Sequence, residues 1–201
     1  MFMKFNKDYL IKALSLLGHV LEREQTPHIH FVVCGGSSLI MMGLIARTTK
    51  DVDIVAFVSK QSENAGQLQY ASSLPEILLK AASHVAADLG LDEDWLNTGP
   101  KDLLKYGLPE GFMDRLHTRC FGEMLTVSFI DRLDQIHFKV YAAVDGGPGR
   151  HVDDLLALKP DHGEMERAAF WAMQQDPSTE FKTTLVDMLK ALNYETVTEK
   201  L

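Results

Sequence analysis

The chain is predicted to adopt a mixed α/β (α+β) fold, a mixed sheet flanked by helices with a helical C-terminal part. Three observations point there. The short runs Ile29–Val33, Val52–Val58 and Leu125–Ile130 are apolar and rich in β-branched residues, and read as buried strands. Leu10, Leu14, Leu17 and Leu21 recur at helical spacing ahead of them. Beyond the glycine-rich stretch 146–149 every apolar pattern is helical.

In chain order, Asn6 is a candidate N-cap for the first helix and Pro27 ends that region. The strand Ile29–Val33 runs into Gly35-Gly36-Ser37-Ser38, and the small apolar stretch Leu39–Ala46 fits one buried helix. Val52–Val58, VDIVAFV, reads as the next strand, and residues 59–72 as a polar loop. Ser73-Leu74-Pro75-Glu76 predicts a helix start, with serine as cap, proline in the first turn and glutamate closing a capping box. Gly90 supplies its left-handed stop. Trp95-Leu96-Asn97 reads as a short strand, and residues 98–118 give no clear pattern. Leu125–Ile130 is a strand and Leu133–Val144 a helix ended by the glycine cluster. His151–Leu158 is a short helix, and Asp161 with Glu164 starts another through Trp171. Phe181, Leu185, Met188, Leu189 and Leu192 mark an amphipathic last helix. The predicted division is an α/β core over residues 1–145 and a helical part over 146–201 that closes one side of a cleft, the two expected as one compact unit.

Composition narrows the function classes. With 201 residues, 46% hydrophobic and 24% charged, the chain buries a core without staples, which excludes wholesale disorder. A formal net charge of -8 argues against a nonspecific nucleic-acid coat, which needs a basic face. Cys34 and Cys120 are too few for a disulfide scaffold or a four-cysteine zinc site. No apolar run approaches the ~18 residues of a membrane span, and a cytoplasmic protein with no membrane partner is expected.

The chemistry concentrates between Cys34 and Val55. Backbone amides at the start of a helix carry partial positive charge, and Gly35 and Gly36 present no side chain to an approaching anion such as phosphate. Asp51 and Asp53 follow at i and i+2, so in a strand both carboxylates share a face. Two carboxylates beside a phosphate cradle form a hard-oxygen site suited to Mg²⁺. No Gly-Lys-Ser/Thr follows the glycines, so this is not a Walker loop, and the dinucleotide fingerprint Gly-x-Gly-x-x-Gly is absent.

The pattern hydrophobic-Gly-Gly-Ser, a 13-residue spacer, then Asp-hydrophobic-Asp resembles the nucleotidyltransferase superfamily of the polymerase-beta type. Arg47-Thr48-Thr49-Lys50-Asp51-Val52-Asp53 resembles the R-x-T-x-D-x-D form of bacterial nucleotidyltransferase-like proteins of unknown function and of the abortive-infection toxin branch. Lys139 and Arg150-His151-Val152-Asp153-Asp154-Leu155 are similar to a second segment of those groups. The resemblance implies transfer of a nucleoside monophosphate from a nucleoside triphosphate to an acceptor hydroxyl. Gly35, Gly36 and Ser37 would hold nucleotide phosphate, and Asp51 and Asp53 would bind Mg²⁺. Lys139 and Asp154 would sit at the same cleft. Arg47 would steady the triphosphate or pair with Asp51. The acceptor would be an RNA end, a protein hydroxyl or a small molecule, and the toxin-type branch adds a cognate antitoxin as partner.

The sequence departs from that pattern in one respect that bears on catalysis. The superfamily takes a third carboxylate from a later strand, but Trp95-Leu96-Asn97 is followed by Thr98, Leu125–Ile130 carries no acid, and His151 stands where an aspartate is usual. Two readings therefore stay open, a transferase and a catalytically degenerate nucleotide-binding or interaction protein on the same fold. His28 and His30 alternate on one strand without a third metal ligand and are expected at the surface. Cys34 is expected as a buried small residue, and Trp171 as packing of the helical tail against the sheet.

Overall fold

In a computed structural model, which describes residues 4–59, 66–104, 107–147 and 149–201, the apolar runs become the centre of one mixed sheet. The strands are β1 (Ile29–Cys34), β2 (Val52–Val58), β3 (Leu68–Tyr70), β4 (Leu96–Asn97), β5 (His117–Cys120) and β6 (Leu125–Phe129). Their order is β3-β2-β1-β6-β5, with β4 paired to β2. β1 is antiparallel to β2 and parallel to β6, and β4 is parallel to β2. The elements fall into two compact units, Met1–Lys105 with Met113–Ile130 and Tyr106–Phe112 with Asp131–Leu201.

In the sheet unit the pleat sorts side chains by alternation. Phe31 and Val33 of β1, Val52 and Ile54 of β2, and Leu125, Val127 and Phe129 of β6 join one core cluster. Helix α1 (Lys7–Arg23) adds Leu10, Leu14, Leu17 and Leu21, and α3 (Glu76–Leu89) adds Leu78, Ala81, Ala82 and Val85. Asn6 caps α1 as expected, its side chain accepting from the Tyr9 amide at 2.9 Å. Gly90, at φ 65°, ends α3 as expected.

Several boundaries differ from the sequence reading. Helix α2 spans Gly35–Met41 rather than Leu39–Ala46. Gly35, at φ 68°, lets the chain turn from strand directly into helix. Gly43, at φ 72°, stops it, with Leu44 N–H on the Leu39 carbonyl at 2.9 Å and Gly43 N–H on Ile40 at 3.0 Å. That paired closure reverses the chain before Ala46 is reached. Ser73 does not cap α3, whose N-cap is Pro75 with no side-chain bond. A residue before proline is disfavoured in the helical region, so Leu74 cannot be the first helical residue that a Ser73 cap requires. β3 falls inside the expected loop 59–72, and residues 60–65 of that loop lie outside the described residues. β5 and the 3-10 turns Gly99–Leu104 and Met113–Arg115 occupy much of the stretch that gave no pattern.

The helical unit is built around α4 (Arg132–Asp145), which Asp131 caps through the Leu133 amide at 2.9 Å. Phe138 of α4 lies 6.1 Å from the Phe112 ring and 5.5 Å from that of Trp171 on α6 (His162–Gln175). Trp171 thus packs on α4, through His137, Phe138 and Tyr141. Helix α5 (Arg150–Leu158) and α7 (Thr179–Ala191) also pack on α4, and a short α8 (Glu195–Thr198), not anticipated, packs on α6 and α7. The Asp161/Glu164 capping box of α6 forms as expected. The expected division fell at 145/146, but contacts divide the chain between Ile130 and Asp131, so α4 belongs with the helices. No helix among the described residues is long and apolar enough to cross a membrane.

Candidate functional site

Register brings the two halves of the first motif together. β1 and β2 pair antiparallel with Cys34 opposite Asp53, so the glycines that leave β1 start beside the aspartate that enters β2. A Cβ on Gly35 would stand 2.7 Å from Asp53 Oδ2. A Cβ on Gly36 would stand 2.8 Å from Thr49 Oγ1, 3.0 Å from Thr49 Cβ and 3.5 Å from Arg47 Nη1. Thr49 Oγ1 donates to Asp51 Oδ1 at 3.0 Å. Arg47 Nη1 donates to the Thr48 carbonyl at 3.2 Å. Gly35, Gly36, Arg47, Asp51 and Asp53 therefore gather at one strand-to-helix turn, with Thr49 joining two of them.

The glycines serve this site differently from the sequence expectation. The space beside Gly35 is taken by the Asp53 carboxylate, and the space beside Gly36 by Thr49 and Arg47. What first approaches the turn is an anion of the protein itself. Bare phosphate would meet carboxylate repulsion there, which a divalent cation removes. The donor set fits Mg²⁺: the ligands offered are carboxylate oxygens, and this ion is held by one or two carboxylates with substrate phosphates completing its shell.

Ser37 is fully buried, and its hydroxyl donates to the Cys34 carbonyl at 3.3 Å. Ser38 is equally buried and donates to the Ile130 carbonyl at 3.0 Å. Both hydroxyls thus donate to backbone carbonyls of the fold. Cys34 is buried, as expected.

Asn97 is the neighbour that sequence reading missed. β4 lies parallel to β2 with Asn97 in register with Asp53. Register partners share a face of the sheet, so the Asn97 amide occupies the position beside Asp53. Asn97 Oδ1 accepts from the Gly99 amide at 2.8 Å. Among the described residues no cluster of three or more His, Cys, Asp or Glu side chains is poised for a metal. The sequence signal was the position of Asn97 two residues past buried Trp95, readable only once β4 is paired with β2. Thr49 was visible only as a hydroxyl two residues before Asp51.

The other two expected residues meet each other in the helical unit. Lys139 Nζ on α4 pairs with Asp154 Oδ2 on α5 at 2.8 Å, and their side chains are only 7% and 2% exposed. His28 and His30 are not surface residues. They are half-buried, bonded through Nε2 to Thr126 Oγ1 at 2.9 Å and Ser128 Oγ at 2.8 Å. Thr118 and Cys120 extend those contacts across β5, at 2.7 Å from Ser128 Oγ and 3.8 Å from Thr126 Oγ1.

A family model described as nucleotidyltransferase of unknown function (DUF6036) matches residues 9–146. The match takes in Gly35–Ser37, Arg47, Asp51, Asp53 and Lys139, and stops before Asp154. No curated protein and no solved structure matches the chain.

Proposed function

We propose, for a chain that belongs to the DUF6036 family of nucleotidyltransferases of unknown function, that the Gly35–Gly36 turn with Asp51 and Asp53 transfers a nucleoside monophosphate from a nucleoside triphosphate to an acceptor hydroxyl. The observation that carries the reading is convergence. Asp53 reaches the turn directly at Gly35, and Asp51 reaches it through Thr49 at Gly36. Asp51 and Asp53 would hold Mg²⁺, which would neutralise phosphate charge and align the triphosphate. The acceptor oxygen bonds the α-phosphorus, the α–β bridging bond breaks, pyrophosphate leaves, and the hydroxyl proton passes to water. Such a reaction asks the protein mainly for positioning and charge balance. Arg47, beside Gly36, contributes a cation on the triphosphate side.

Asn97 favours a second reading, a nucleotide-binding protein that does not transfer. The residue in register with Asp53 is an amide, and among the described residues no third acid joins Asp51 and Asp53 in a metal-holding group. An acceptor screen with all four α-labelled triphosphates against RNA, protein and small-molecule pools separates the two. Asp51→Asn abolishes transfer if the first reading holds. Its fold survives, since asparagine still accepts from Thr49 and a hydrogen bond of this kind is worth only about 1 kcal/mol. Label retained but never transferred, with wild type and Asp51→Asn alike, supports the binder. Lys139 is the poorer probe. Lys139→Ala removes the cation paired with the buried Asp154 carboxylate, at a cost of about 3–5 kcal/mol, so it reports stability before chemistry.

A further inference from the structure

Thr49 meets both Asp51 and the Gly36 turn. It is only 7% exposed and sits in the loop between α2 and β2. Its backbone is fixed from outside that loop: Phe5 N–H donates to the Thr49 carbonyl at 2.7 Å, and Thr49 N–H returns a bond to the Phe5 carbonyl at 3.1 Å. Phe5 is fully buried, its ring 5.7 Å from Trp95 and 5.9 Å from Tyr9. The segment ahead of α1 therefore anchors the loop in the core, and the anchored residue aims its hydroxyl at Asp51 Oδ1. The same oxygen lies 2.8 Å from where a Gly36 Cβ would stand, so it bridges the carboxylate and the turn.

We infer that Thr49 is the positioning residue of this site, holding Asp51 in the orientation that receives the divalent cation. The inference rests on the proposed metal role of Asp51 and Asp53. A carboxylate at a strand entrance has several rotamers within reach, and one charge-assisted hydrogen bond from a buried, backbone-locked donor selects among them. Oδ1 is committed to Thr49, and Oδ2 lies outside that bond. Holding a ligating carboxylate through an outer hydroxyl acts on metal affinity, and losses of this type run from tenfold to a hundredfold.

The test uses the full chain and Mn²⁺ alone as probe, followed by electron paramagnetic resonance, with wild type, Thr49→Val, Thr49→Ser and Asp51→Asn. Valine keeps the shape of threonine and removes the hydroxyl; serine keeps the hydroxyl and removes the methyl. Thr49→Val is expected to weaken Mn²⁺ binding about tenfold or more, while Thr49→Ser stays within about threefold of wild type. A residue that only packs against Gly36 gives the opposite order, with serine the worse variant, and that order overturns the inference. Circular dichroism melts accompany each titration, and a Thr49→Ser protein that melts below Thr49→Val yet binds Mn²⁺ better gives the strongest support. Thr49→Val binding like wild type while Asp51→Asn binds weakly overturns the inference alone. Wild type and Asp51→Asn binding alike removes the metal role, and the inference with it.

Discussion

Gly35 carries two constraints at once, a φ of 68° and an Asp53 oxygen 2.7 Å from where its Cβ would be. An alanine there costs about 1–2 kcal/mol for the left-handed backbone alone. The clash with the carboxylate adds to that. Gly35→Ala should therefore lower the urea midpoint, and Gly35→Ala/Asp53→Ala should recover only the clash part, because the backbone cost remains. A double-mutant cycle reads the difference. If the two changes add without interaction, Asp53 does not press on Gly35 as described. The pairing of these two residues was legible in the sequence, since a strand ending in glycines and a strand opening with Asp-x-Asp point to one site. Thr49 is different, because the motif itself assigns it no role. Its hydroxyl-to-carboxylate bond lies inside an irregular loop, where no periodicity reports side-chain direction, and its anchor Phe5 is 44 residues away. For Ser37 the gap runs the other way: a serine at a helix start looks available to a ligand, and its buried hydroxyl donates to the Cys34 carbonyl.

At the scale of elements, regular apolar patterns were readable and edges were not. α1, β1, β2, β6 and the capping box of α6 follow from spacing and cap chemistry. β5, with the sequence HTRC and every residue exposed, has no apolar alternation to show. The clamp at the start of α4 was also invisible, because it joins residues distant in the chain. Arg132 Nε donates to the Leu158 carbonyl at 2.8 Å and Nη2 to that of Lys159 at 2.9 Å. Its Nη1 and Nη2 hold both oxygens of Glu164 at 2.7 and 2.9 Å. One guanidinium thus ties the start of α4 to the end of α5 and the cap of α6. The Arg132 hydrogen bond holds the Glu164 carboxyl below the ordinary glutamate range against the opposing effect of burial, with a smaller contribution from the Asp161 amide. A carboxyl depressed in the folded state stabilises above its unfolded pKa and loses that contribution as pH falls through the folded value. Glu164→Gln should accordingly cost about 1–2 kcal/mol at neutral pH, a deficit that shrinks as pH drops below about 4. Urea unfolding of both proteins at pH 7 and pH 3 measures it. A deficit independent of pH would mean that the charge on Glu164 contributes nothing.

For the molecule as a whole, the sequence suggested a division at the glycine cluster, and the structure divides earlier. A glycine-rich stretch announces a turn but says nothing about which helices pack across it. α4 is claimed by the helical unit through the Arg132 clamp, the Lys139–Asp154 pair and the Phe138–Trp171 contact. The residues proposed for nucleotide chemistry, by contrast, are gathered within the sheet unit at a single turn. On the proposed function, the acidic charge and the carboxylates standing at that turn would make the same demand on a triphosphate, a divalent cation between the two sets of anions. Calorimetric titration of nucleoside triphosphate into the full chain, with and without Mg²⁺, tests this most directly when wild type is run beside Asp53→Asn. Triphosphate binding should be tighter with Mg²⁺ in the wild type, and Asp53→Asn should lose that gain. Affinity that is the same with and without the metal, or a Mg²⁺ gain undiminished in Asp53→Asn, would contradict a metal-centred site at Asp51 and Asp53.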